Sequence, residues 1–171
     1  MLVIIALAAH EVAHLFTAVI LNIKFDKVKI TLFGFNFNAN LENIYFIKKI
    51  VLLAAGPVCN ACLYLGFRDT TYIDFAKINI FLACINMIPI IPLDGGNLCK
   101  SILEIFLETN TACRYMIMTN AFFIVCFLII IYMYGNYLYL LLIIMALKGI
   151  IQENRRLLEK NIKLSYSKLK S

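Results

Sequence analysis

His10, Glu11 and His14 form the run His-Glu-Val-Ala-His, and no other residues in this chain are better suited to chemistry. On a helix, residues four apart stand one turn apart on the same face. Two imidazoles so placed can ligate one Zn2+, and the Glu beside them can act as general base. The chain has two histidines, and both are in this motif. The flanks, Leu2 to Ala9 and Leu15 to Leu21, are almost wholly apolar, which puts the motif at membrane depth. Ionisable side chains there are expensive and are functional by default.

A two-histidine site needs a third protein ligand and keeps a fourth position for water. Asp94 is the carboxylate best placed for that role. It ends the stretch Asn86-Met87-Ile88-Pro89-Ile90-Ile91-Pro92-Leu93-Asp94, where two prolines break an apolar segment, and Gly95 and Gly96 follow it. The competing reading makes Asp94 the N-cap of a short amphipathic helix near 97–108. The other carboxylates sit elsewhere. Glu104 and Glu108 read as the solvated face of that short helix, and Asp26, Glu42, Asp69 and Asp74 fall in connections. Glu153 and Glu159 fall in the charged tail. In Ala55-Gly56-Pro57-Val58-Cys59-Asn60, the proline frees a carbonyl and the glycine lets another helix come close. Asn60 there needs a hydrogen-bond partner, structural or functional.

The elements that hold these groups are membrane elements. The chain has 171 residues, of which 63% are hydrophobic, and a mean hydropathy of +0.86. That excludes a soluble globule. Five stretches approach the roughly 20 apolar residues that a bilayer crossing takes: 2–22, 48–66, 77–93, 114–134 and 137–151. The first has no basic n-region or cleavage site and makes a poor signal peptide. Between Asn22 and Tyr45, Val28, Ile30 and Leu32 alternate with Lys27, Lys29 and Thr31, and Phe33, Phe35 and Phe37 with Gly34, Asn36 and Asn38. Alternation of period two predicts strands. The expected fold class is an all-α membrane protein, with about five transmembrane helices and a small membrane-associated β-hairpin after the first. Residues 1–151 form the expected core, and 152–171 an amphipathic basic tail on the inner membrane surface.

The net charge is +6, and its placement speaks to topology. Lys24, Lys27, Lys29, Lys48 and Lys49 surround the first connection, Lys100 and Arg114 the third, and seven basic residues from Lys148 onward the C-terminus. The positive-inside rule puts these in the cytoplasm and the N-terminus outside. The basic charge thus fits anionic lipid, and no nucleic-acid module pattern accompanies it. The six cysteines lack a second Cys-x-x-Cys to complete a zinc site with Cys59 and Cys62. They read as free thiols acting as small hydrophobes.

The His10-Glu11-Val12-Ala13-His14 run, the Ala55 to Asn60 element and the Asn86 to Gly96 element, in that order, resemble the site-2 protease family of intramembrane zinc metalloproteases. The third element looks most like the stage IV sporulation protein FB branch. The resemblance covers roughly residues 1 to 100; the last two helices match by hydropathy alone. It implies a zinc-dependent metalloendopeptidase of bacterial plasma membranes. His10, His14 and Asp94 match the zinc ligands, and Glu11 the catalytic glutamate. Asn86 matches an asparagine that helps hold the substrate chain, and the expected hairpin matches a substrate-contacting element. Implied partners are membrane-embedded or membrane-tethered protein substrates, such as a pro-sigma factor, and membrane-protein inhibitors. The chain departs from that branch in having no C-terminal CBS pattern. It also starts nine residues before His10, short of a helix often found there. Both departures suggest a truncated or minimal version. CAAX-type and heat-shock membrane zincins also carry the first motif, but their third ligand is a downstream Glu on a helix. A non-catalytic zinc-binding scaffold or metal transporter would not need Glu11.

Overall fold

The computed structural model describes residues 1–23, 28–31, 34–37 and 45–170. Six helices dominate: α1 (Leu2–Ile20), α2 (Phe46–Phe67), α3 (Ile73–Asn86), α4 (Asp94–Phe106), α5 (Thr109–Tyr134) and α6 (Tyr139–Lys170). They divide between two compact units, Met1–Met87 and Ile88–Ser171.

The expected architecture is corrected. Among the described residues three helices, α1, α2 and α5, are long and apolar enough to cross a membrane, instead of about five. Hydropathy measured apolar length and could not see where helices stop. The run 77–93 gives the 14-residue α3 and then breaks at the prolines. The run 137–151 is the opening of the 32-residue α6, which continues without a stop into charged sequence. The β content is two four-residue strands, β1 (Val28–Thr31) and β2 (Gly34–Phe37), antiparallel with Val28 opposite Phe37 and Thr31 opposite Gly34. An isolated two-stranded pair is marginal at best. Helices set the fold class, and a membrane-associated hairpin is not retained in it. The remainder of the expected strand region, 24–27, 32–33 and 38–44, lies outside the described residues.

In the first unit α1 and α3 both pack on α2, and small residues make the seams. Buried positions are Ala6, His10, His14 and Ala18 on α1, Leu52, Leu53, Gly56, Pro57 and Asn60 on α2, and Ala76, Asn79 and Ala83 on α3. Small side chains let backbones approach where hydrophobicity cannot drive helices together, because lipid is as apolar as leucine. The outer face of α1 is apolar instead: Val12, Phe16 and Val19 are exposed. Apolar outside and polar inside is the pattern of an integral membrane protein. The end of α1 is tied down. Asn22 takes φ 49°, and the Ile23 amide reaches back to the Ala18 carbonyl at 3.0 Å. That left-handed exit, which Asn tolerates, seats Ile23 in a small core with Ala18 and Leu52.

In the second unit α5 and α6 form the main pair, joined at Gly135 in a left-handed conformation (φ 64°), and α4 packs on α5. Phe127 stacks on Tyr139 across that pair, with ring centroids 5.8 Å apart. Glu153, which reads as tail charge in the sequence, is fully buried on α6. It accepts from Lys100 of α4 at 2.5 Å and from Arg156 at 2.7 Å. Removing one partner of such a pair would cost about 3–5 kcal/mol, because the remaining charge stays buried.

Candidate metal centre

The buried residues of α1 recur every fourth position, at 6, 10, 14 and 18. One stripe thus faces the bundle, and the two histidines are its middle members. Their flanking positions are alanines, so nothing bulky on α1 keeps α2 from the imidazoles.

His14 is fixed by α2. Its Nδ1 lies 2.8 Å from the Leu52 carbonyl oxygen. A carbonyl can only accept, so Nδ1 carries the proton and donates, and the Nε2 lone pair is left for a metal. This outer hydrogen bond is the usual device that orients a ligating histidine. The Nε2 atoms of His14 and His10 are 3.2 Å apart, with rings edge to face and centroids 4.8 Å apart. Two imidazole nitrogens at 2.0–2.1 Å from one tetrahedral ion stand about 3.3 Å apart. The pair therefore fits Zn2+ without rearrangement. Gly56 makes room for it. A Cβ at Gly56 would overlap His14 Nε2 and stand 2.5 Å from His10 Nε2. The cradle exists because that side chain is absent.

Glu11 follows His10 on α1 and is half-buried. Asn86 is the last residue of α3, and its Nδ2 donates to the Leu82 carbonyl of its own helix at 3.2 Å. Asp94 belongs to the second unit. Leu93 occupies the cap position of α4 and Asp94 the first helical position. The cap reading therefore does not describe Asp94. A carboxylate in the first turn is favoured by the helix dipole. All six cysteines are free thiols; Cys113 is the buried one, and Cys62 and Cys84 are exposed.

Sequence reading missed the residues that hold the broken segment before Asp94. Asn120 of α5 is fully buried. Its Oδ1 accepts from the Ile91 amide at 3.2 Å, and its Nδ2 donates to the carbonyls of Ile91 and Ala146, each at 3.1 Å. Asn97 Nδ2 donates to the Pro92 and Leu93 carbonyls at 3.0 and 3.1 Å. The one available signal was an asparagine in an apolar helix, which needs a partner inside the protein.

Residues 66–131, which contain Asn86 and Asp94, match the model of peptidase family M50. A Synechocystis sp. protein named "Putative zinc metalloprotease sll0528" is 30% identical over 115 residues, covering 60% of this chain. The chain spans only 30% of the length of that curated relative. The solved site-2 protease from Methanocaldococcus jannaschii superposes with a TM-score of 0.68, over 91% of this chain and 76% of that one. Sequence identity there is 16%, so the likeness is one of fold. The chain has the fold of a site-2 protease and is similar, over residues 66–131, to peptidase family M50.

Proposed function

We propose that this chain is an intramembrane zinc metalloendopeptidase that hydrolyses peptide bonds in or near transmembrane segments. The observation that carries the reading is the 3.2 Å approach of two buried imidazole nitrogens on an otherwise apolar helix, with Glu11 beside them. His10, His14 and Asp94 would hold the ion, two nitrogens and one oxygen being a common catalytic donor set. When bound, zinc supplies Lewis acidity towards the scissile carbonyl and a water acidified towards a pKa of about 7. The Glu11 carboxylate would take a proton from the attacking water and pass it to the leaving amine. Asn86 helps hold the substrate chain. Pro89 and Pro92 interrupt regular helix between α3 and α4, irregular backbone that at membrane depth is tolerated where it is buried in protein or lines a water-filled cavity. A scaffold or transporter would need the histidines and not Glu11.

The test is co-expression with candidate single-span membrane proteins, comparing the parent with Asp94→Ala. The parent should yield a cleaved fragment. Asp94→Ala should yield none, and its zinc affinity should fall by more than the roughly 10–100-fold typical of losing an outer-shell partner. Parent-like zinc affinity in Asp94→Ala would remove Asp94 from the ligand set.

The distribution of basic residues supports a cytoplasmic opening of the site and release of a substrate's cytoplasmic portion, as a membrane-held pro-sigma factor would require. The tail from 152 onward then lies at the inner surface. Cysteine labelling in a background lacking native cysteines reports this. Asn40→Cys, outside the described residues, should react only with reagents that enter the cell, and Asp69→Cys with impermeant ones. The reverse pattern would overturn the proposed direction of release.

A further inference from the structure

Helix breaks at membrane depth survive only where protein satisfies the freed backbone groups. The break between α3 and α4 can be followed atom by atom. The Ile90 amide donates to the Ile88 carbonyl at 2.7 Å, and the Leu93 amide to the Ile90 carbonyl at 2.8 Å. Pro89 and Pro92 have no amide proton to place. Asn97 serves the Pro92 and Leu93 carbonyls from within α4. Ile91 is left, and it is fully buried. Both of its backbone groups pair with one side chain, Asn120, twenty-nine residues further along. The same amide ties Ile91 to α6 through the Ala146 carbonyl.

Two glycines make that seat. A Cβ at Gly149 of α6 would overlap both the Ile91 carbonyl oxygen and Asn120 Nδ2. A Cβ at Gly96 of α4 would overlap the Ile90 carbonyl and stand 2.5 Å from the Ile91 nitrogen. The segment is thus gripped by a polar clamp from α5, against glycine backbone on α4 and α6. Asp94 stands three residues beyond Ile91, on the first position of α4.

We propose that Asn120 is a positioning residue: its amide, seated against Gly149, locks the Ile91 backbone and thereby fixes how Asp94 is presented to the metal. The role of Asp94 as ligand rests on the function proposed above; the clamp on Ile91 does not. Asn120 does not touch substrate or ion and acts through the segment it holds. Its donors and acceptor are all used, so leucine of similar size fills the space and removes every bond.

The experiment uses the full chain in detergent and two readouts. The first is amide hydrogen exchange over residues 88–97 in the metal-free protein. The second is zinc affinity by chelator competition. In Asn120→Leu, exchange at Ile91 and Leu93 should quicken at least about tenfold, as expected when a local opening loses its closing bonds. Zinc affinity should fall about 10–100-fold, the range for loss of an orienting contact. Gly149→Ala presses on the same contacts from α6 and should do the same. Phe127→Ala loosens the α5–α6 pair away from the clamp, at its stack with Tyr139; it should leave exchange over 88–97 and zinc affinity unchanged. Parent-like exchange in Asn120→Leu and Gly149→Ala would overturn the proposal. Equal effects from Phe127→Ala would overturn it as well, by reducing Asn120 to general packing. Zinc binding that is insensitive to Asp94→Ala would defeat the ligand assignment, and the exchange data would still decide the clamp.

Discussion

Glu11→Gln is expected to stop peptide cleavage while zinc stays bound. Glu11 occupies the turn of α1 that carries His10 and His14, and it is half-buried beside them. Glutamine keeps its volume and its hydrogen-bonding reach but cannot take a proton from water. General base catalysis by a positioned carboxylate contributes about 10²–10⁴-fold, so the fragment produced from a co-expressed single-span substrate should fall below detection. His14 is held by the Leu52 carbonyl, and both rings lie against Gly56. Zinc content measured on purified protein should therefore match the parent. Loss of zinc together with cleavage would make Glu11 a ligand and overturn its assignment as base. Retained cleavage would send the search for the base elsewhere.

The histidine pair was legible because its signal is local. Spacing of four along an apolar run is enough to place two imidazoles on one face, and the buried stripe through Ala6, His10, His14 and Ala18 is that face. The glycine at 56 was legible as a point of close approach, but nothing in the sequence says that imidazole rings are what approach it. The clamp on Ile91 was not legible. Asn120 is a single amide in the middle of an apolar helix, and its partner lies twenty-nine residues away. Lys100 and Glu153 misled for a related reason. In sequence each looks like charge outside the membrane, and only the fold brings them together into a buried pair. The helix count failed at α3 and α6 because hydropathy reports composition over a window and is blind to where backbone hydrogen bonding stops or continues.

Gly56→Ala is expected to abolish tight zinc binding and leave the helices intact. By propensity alone the change favours α2, since alanine is better than glycine in a helix interior by about 1 kcal/mol. The added methyl nevertheless has no space, because it would overlap His14 Nε2 and reach within 2.5 Å of His10 Nε2 and Cε1. Those nitrogens are the atoms proposed to face the ion. The His14 ring cannot simply swing away, because the Leu52 carbonyl, one turn earlier on the same α2, holds its Nδ1 at 2.8 Å. Either that bond breaks or α1 and α2 separate along a seam of small residues. In both cases the 3.2 Å nitrogen pair opens beyond what one tetrahedral ion can bridge. Zinc affinity should fall by at least about a hundredfold, the upper end for disturbed orienting contacts, and cleavage should go with it. Gly66→Ala is the matched control on the same helix, because a methyl there meets nothing within 4 Å. It should bind zinc and cleave like the parent. Far-UV circular dichroism should show the same helical content in all three proteins. A Gly56→Ala protein that binds zinc as tightly as the parent would mean that the metal does not sit on the α2-facing side of α1, and the candidate centre would have to be abandoned.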